Sequence, residues 1–185
     1  MIYCTAIIFI IGLYLIILPK EKIIKSLNIM TYSTQDIANY FLQKGENDPA
    51  MTPMKLIKLV YIAHGWNLGL TGNPLVTEEA EAWKYGPVFP SIYKKYREFK
   101  NGKIMLEPIK DLNIKDTDDL TFLDKIWNFY SKFDGLLLST KTHEPNTPWS
   151  LTWENAKKSD VISEKSLIIP NNIIAKHYSS LSPAK

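Results

Sequence analysis

The stretch that decides the fold is PMKLIKLVYIAHGWNLGL, residues 53–70. Thr52 supplies a hydroxyl for the free amides of a helix start, and Pro53 occupies the first helical position, where its missing amide costs nothing. The apolar residues behind it form two stripes at helical spacing, one through 56, 59, 60, 63, 66 and 70 and the other through 57, 61 and 68. Lys55, Lys58 and Gly65 are left on the remaining side. A helix that is apolar on two sides is predicted to be the central helix of the domain.

Further helices are predicted outward from it by capping residues, three-four apolar spacing and stop signals. They begin at Ser33 or Thr34 and end at Gly45, begin at Pro90 and end at Asn101-Gly102, and begin at Thr117 and end at Gly135. A short helix is predicted over 136–142, another from Thr147-Pro148 through 153, and a last one from Pro170 through 181.

Extended chain is predicted between residues 75 and 88, where Trp83, Tyr85 and Val88 favour strands and Gly86-Pro87 breaks the run. This segment is interpreted as short strands or a hairpin, and residues 104–109 are a second strand candidate. The predicted fold class is therefore mainly α: a compact helical domain with a small β-hairpin or short sheet.

The first 29 residues differ from the rest. Residues 2–18 are uncharged and rich in Ile and Leu, and Lys20, Lys22 and Lys25 follow. This leader is either a membrane anchor at the lower limit of spanning length or an upstream extension from a misassigned start before Met30. The predicted organisation is a leader over 1–29 and one domain over 30–185. The lysines after the apolar run place that domain in the cytoplasm, free or anchored to the inner membrane.

Composition and motifs predict no enzyme. The single cysteine lies in the leader, and no Gly-x-Ser-x-Gly elbow or Gly-rich phosphate loop occurs. Ser139 and His143 are four residues apart but lack an orienting third group. His64 and His177 are interpreted as ordinary core or boundary residues. We therefore expect no catalytic residue, no cofactor and no metal site.

Nucleic-acid binding is the hypothesis raised by residues 93–103, which interleave lysines and an arginine with aromatic residues. Without the leader, the net charge of +3 falls to +1. That near-neutral balance favours a helix with inward aromatics and solvated lysines, so no nucleic-acid partner is expected.

The run EAWKYGPVFP, residues 81–90, is the strongest candidate for a binding surface. Two prolines and a glycine restrict its backbone, and large, rigid, amphipathic side chains are those that binding hot spots use. The alternative is that Trp83 and Tyr85 cover the core beside the central helix.

Three blocks carry a family resemblance: residues 54–75, residues 81–91, and Leu138-Ser139 through Thr142-His143 to Pro148-Trp149. In this order they resemble the bacterial Panacea domain family, also called SocA-like, which includes phage-associated GepA-like proteins. The resemblance extends from about residue 30 to about residue 178.

The resemblance implies an antitoxin of a type II-like toxin–antitoxin system that neutralises a cognate toxin by direct binding. The alternative is an adaptor that delivers a bound toxin to a cytoplasmic protease; a hydrolase or a nucleic-acid-binding protein ranks lower. A membrane is a partner through residues 2–18 if these are translated. The predicted partner-binding residues are Trp83, Lys84, Tyr85, Pro87, Phe89, Thr142, His143 and Trp149.

Overall fold

The computed structural model describes residues 31–105, 111–158 and 167–181. Its helices are α1 Thr34–Lys44, α2 Pro53–Thr71, α3 Pro90–Tyr96, α4 Thr117–Tyr130, α5 Gly135–Thr142, α6 Pro148–Lys158 and α7 Asn171–Leu181, and a 3₁₀ turn Arg97–Phe99 follows α3. The strands are β1 Glu81–Trp83 and β2 Gly86–Val88. The predicted fold class, mainly α with a small β-hairpin, is confirmed.

Helix α2 lies at the centre, in contact with α1, α3, α4, α5, α7 and β2. Every residue from Lys55 to Trp66 is buried. The side of α2 that carries Lys55, Lys58 and Gly65, which the sequence pattern leaves apart from the two apolar stripes, is therefore buried as well. Neighbouring elements cover all sides of α2, and each buried lysine has hydrogen-bond acceptors.

The predicted helix ends are confirmed where capping residues mark them. The Thr52 hydroxyl accepts from the backbone amide of Lys55, and Gly72 ends α2 with φ +76°, a left-handed conformation that suits glycine. Ser33 caps α1 and exchanges hydrogen bonds with Asp36 in a capping box.

Gly135 was predicted to stop the helix that starts at Thr117, and this was wrong. Helix α4 ends at Tyr130, and the Asp134 carboxylate accepts from the Leu137 amide, 2.7 Å away, so that Gly135 is the first residue of α5. A Cβ on Gly135 would lie 2.7 Å from the backbone nitrogen of Lys55. Glycine is required here by the close approach of α5 to α2 and not by a helix stop.

The two strands are antiparallel, with Glu81 opposite Val88 and Trp83 opposite Gly86. Residues 167–169 extend along the other edge of β1, where Ala82 N donates to Leu167 O over 2.7 Å. In the second strand candidate, Ile104 and Met105 are not in a strand, and the remainder lies largely outside the described residues.

The predicted leader, residues 1–29, also lies outside the described residues. Within the described ranges, no helix combines the length and the apolar character needed to cross a bilayer.

Helix α7 packs against α2 at two glycines. A Cβ on Gly65 would lie 2.2 Å from Cε2 of Tyr178, and one on Gly69 would lie 2.7 Å from the Ser179 backbone nitrogen. The Tyr178 ring also packs edge-on against Trp66, with ring centroids 5.4 Å apart. Helix α7 therefore packs on the side of α2 that carries the two glycines.

We expect Gly65→Ala to lower the free energy of unfolding by about 1–3 kcal/mol, because the added methyl overpacks this interface. In an exposed helix the same change would stabilise by about 1 kcal/mol. Gly72→Ala is the contrast: nothing lies within 4 Å of its Cβ position, so its cost comes from the positive φ alone. Denaturant unfolding measures both variants, and a G65A protein as stable as the wild type would contradict this packing.

Candidate functional site

A buried lysine holds the end of the hairpin. Lys58 is 1% exposed, and its Nζ donates to the carbonyl oxygen of Pro87 over 2.9 Å. A Cβ on Gly86 would lie 2.6 Å from this Nζ and about as close to His143 and Thr142. Gly86 also has φ +101°. Both space and backbone conformation therefore require glycine above the lysine.

Burial is the cause that lowers the pKa of Lys58 from 10.5 to about 7. Keeping the Lys58 ammonium charged in the folded protein therefore costs free energy near neutral pH. The side chain remains a hydrogen-bond donor in either protonation state, so the contact with Pro87 does not depend on the charge.

Helix α5 holds the turn between the strands. Ser139 Oγ donates to the carbonyl oxygen of Tyr85 over 3.1 Å. His143 Nδ1 lies 2.6 Å from the backbone oxygen of Ser139, and its Nε2 lies 3.4 Å from the carbonyl oxygen of Lys84. The Ser139 hydroxyl and the imidazole are each directed at backbone carbonyls. The structure does not place them as a nucleophile and its base.

Trp149 of α6 completes these contacts by donating from Nε1 to the carbonyl oxygen of Trp83 over 2.8 Å. Its ring stacks on Trp153 with centroids 5.4 Å apart, and the centroid of the His143 ring lies 4.0 Å from that of Trp149. On the hairpin side, Trp83 packs edge-on against Tyr93 at 4.9 Å.

These rings, together with the ring of Tyr85 in the turn, make one partly exposed patch. We call it the aromatic surface, and its members are Trp83, Tyr85, Tyr93, His143, Trp149 and Trp153. Tyr85 is its most exposed ring at 65%, and the Lys84 ammonium lies 5.6 Å from the Tyr85 ring centroid. The hairpin that carries Tyr85 is held by side chains from α2, α5 and α6. The surface therefore combines exposed rings with a fixed backbone.

Of the predicted partner-binding residues, Trp83, Lys84, Tyr85, His143 and Trp149 are exposed or half-buried and lie together. Pro87, Phe89 and Thr142 are buried. Contact with a partner stays a prediction, and the residues available for it are the five that are exposed or half-buried.

Sequence reasoning did not include Tyr93, Trp153 and Lys58 in this site. The four-residue spacing of Trp149 and Trp153 is a signal that would place both on one helix face. For Lys58 the signal is that a lysine lies inside a helix that is apolar on two sides. Periodicity alone, however, predicts that such a lysine is exposed to solvent.

His64 is a satisfied core residue, as predicted. It is fully buried, its Nδ1 accepts from the amide of Val76 over 3.4 Å, and its Nε2 lies 3.1 Å from Asn171 Oδ1. Burial lowers its pKa, and the Asn171 contact opposes the shift. In the described part of the chain, no group of three or more His, Cys, Asp or Glu residues is arranged to hold a metal.

The basic stretch behind the nucleic-acid hypothesis does not present its aromatics together. Tyr96 is 1% exposed and accepts a hydrogen bond from Gln35, whereas Tyr93 packs on Trp83. Lys94, Lys95 and Arg97 point into water. This arrangement agrees with a solvated helix face.

Comparison with known proteins identifies the family. The model of the antitoxin SocA-like family, Panacea domain, matches residues 56–150. This chain belongs to that family. A curated relative, Antitoxin SocA of Caulobacter vibrioides (strain NA1000 / CB15N), is 29% identical over 126 residues, which cover 62% of this chain and 67% of the relative. No solved structure matches the chain significantly.

The matched range of the Panacea domain contains α2 from Leu56 onward, the hairpin, α5 and the start of α6. It therefore contains Lys58, Ser139, His143 and Trp149, the four residues whose side chains contact hairpin carbonyls. The three blocks that carried the sequence resemblance meet at the hairpin: residues 54–75 and 138–149 supply the side chains that contact the backbone of residues 83–87.

We expect the stability of the wild type relative to Lys58→Met to increase from about pH 7 to about pH 10. The folded chain releases the Lys58 proton near pH 7 and the unfolded chain only near 10.5. Between these values the unfolded state binds more protons, so stability rises with pH. Loss of the Pro87 contact in K58M adds an offset that does not vary with pH.

Denaturant unfolding of both proteins across this range is the measurement, with the exposed Lys84→Met as the control that should keep the wild-type slope. Parallel pH profiles for the wild type and K58M would show that Lys58 keeps an ordinary pKa.

Proposed function

We propose that this Panacea domain is an antitoxin that neutralises a toxic partner protein by binding it through the aromatic surface. The observation that carries the proposal is the exposed ring of Tyr85, which lies on a hairpin whose backbone is held by side chains of three helices. The relative named Antitoxin SocA and the family match support the same role.

The physics of protein interfaces favours such a surface. Aromatic side chains cover much area with few rotatable bonds, so little side-chain entropy is lost on binding. A turn fixed in advance also removes the cost of ordering a loop. Tyr85 is the ring best placed to enter a pocket of the partner, with Trp83 and Trp149 beside it.

The near-neutral charge of the domain favours a protein partner, and it favours binding to which electrostatic attraction contributes little. Residues 30–185 carry a net charge of +1, and the ion pair Lys141–Glu144, with 2.8 Å between Nζ and Oε1, lies on the partly exposed part of α5 and the loop after it. We assign the activity to residues 30–185, acting in the cytoplasm. Because the net charge of these residues is small, we expect the affinity for the partner to change little with salt.

Co-expression with the product of the neighbouring gene tests the proposal. That product should be toxic alone and tolerated together with this chain, and the two should co-purify. Toxin levels are measured in the same cells: constant levels support neutralisation by occupancy, whereas levels that fall when this chain is present indicate a proteolytic adaptor. If no neighbouring product is both toxic and bound, the proposal fails.

We expect Tyr85→Ala to weaken partner binding about 30-fold, the effect of losing one hot-spot ring. The thermal unfolding temperature should not change, because the ring is 65% exposed. Calorimetric titration with the purified partner measures the affinity.

Met105→Ala is the matched control, since Met105 is 72% exposed and lies outside the aromatic surface. Its affinity should equal that of the wild type. Equal binding by Y85A and M105A would remove the turn from the interface.

A further inference from the structure

A carboxylate lies at the edge of the aromatic surface without a cationic partner. The hairpin carries two charged side chains, Glu81 at its start and Lys84 in its turn. The Lys84 ammonium lies 5.6 Å from the centroid of the Tyr85 ring. Among the residues that the structure describes, no ion pair includes Glu81. The hairpin therefore has one acidic group that no described basic group neutralises.

The Glu81 side chain is fixed beside Trp83. Residues two apart on a strand lie on the same face, and Trp83 Nε1 donates to Glu81 Oε2 over 2.7 Å. Both side chains are half-buried, so solvent still reaches them. Within the described ranges, this bond is the only hydrogen bond to the carboxylate, and Oε1 is left to accept from a partner.

The two indoles of this region present rings but no hydrogen-bond donors. Trp83 Nε1 is bound to Glu81, and Trp149 Nε1 donates to the carbonyl oxygen of Trp83. Each indole has a single N–H, so both donors are used within the chain. The remaining ring surface attracts cations as well as apolar groups. An apolar group of the partner would suit the rings but not the carboxylate beside them.

Binding of a partner makes this carboxylate decisive. If Trp83 and Trp149 lie inside a protein interface, the Glu81 carboxylate loses water together with them. Desolvating a charge without pairing it is strongly unfavourable. Lys84 does not raise the same problem, because its exposed, flexible side chain can keep the ammonium in water at the edge of the interface. The partner must therefore bring a cation to Glu81.

We infer that the toxic partner packs an arginine side chain on Trp83 and pairs its guanidinium with Glu81, so that these two residues help to determine which partner is bound. The inference rests on the proposed function of the aromatic surface. A guanidinium is planar, so it can stack on an indole while its N–H groups donate to a carboxylate. The ammonium of lysine lacks this geometry. The basic residues of α3 and its 3₁₀ turn, Lys94, Lys95 and Arg97, point into water and form no ion pair with Glu81.

Titration of the whole chain with N-acetyl-arginine amide, followed by NMR at the indole protons of Trp83, tests the site without the partner. N-acetyl-citrulline amide has nearly the same shape and no charge, and we expect it to bind about fivefold more weakly. Glu81→Gln keeps an oxygen that accepts from Trp83 Nε1 and removes the charge, so it should abolish this preference. Glu79→Gln is the matched control, because it removes an exposed carboxylate outside the aromatic surface and should keep the preference.

Calorimetry with the purified toxic partner is the second measurement. We expect E81Q to weaken binding about tenfold, the loss of one charge-assisted hydrogen bond, and E79Q to bind as the wild type does. A double-mutant cycle should couple E81Q to one arginine of the partner.

Equal binding of the arginine and citrulline derivatives to the wild type overturns the inference, and so does a preference that E81Q retains. If the partner binds wild type and E81Q equally, the inference is overturned while the proposed function stands. If no partner binds, the proposed function fails, and the titration alone decides whether the hairpin recognises arginine.

Discussion

The burial of α2 on every side is the constraint on which the rest of the structure depends. A helix in this position supplies more of the buried apolar side chains than any other described element, but its buried lysines and histidine cannot reach water and must find partners within the fold. Lys55 therefore pairs with Asp48, His64 contacts Asn171, and Lys58 donates to the hairpin. Each of these contacts fixes a neighbouring part of the chain relative to α2. The polar groups of one buried helix thus position the loops around it.

The hairpin is where this constraint bears on the proposed function. Lys58 holds its second strand from below, and Ser139 and Trp149 hold its turn from the side. The backbone carbonyls are satisfied by these donors, which leaves the rings of the turn free to face outward. Tyr85 is 65% exposed on this held backbone. A surface that needs no reordering on binding suits a protein that acts by occupying its partner.

Local signals in the sequence predicted most of the fold. Thr52-Pro53, Gly45 and Thr147-Pro148 mark helix ends through capping chemistry, which needs no tertiary information. Lys58 and Gly135 could not be predicted in this way, because the burial of a lysine and the approach of one helix backbone to another depend on what packs there. Of the site, the sequence located the hairpin and the start of α6 but not which side chains face outward.

Hydrogen–deuterium exchange of the chain with and without its bound toxin is the most direct measurement of the central claim, that a fixed, ring-rich turn is the contact surface. The account predicts slower exchange at residues 83–86 and along the first turns of α6 when the partner is bound. It also predicts little change at α1 and in the middle of α2. Protection confined to other parts of the chain, with exchange at the hairpin turn unaltered, would contradict it.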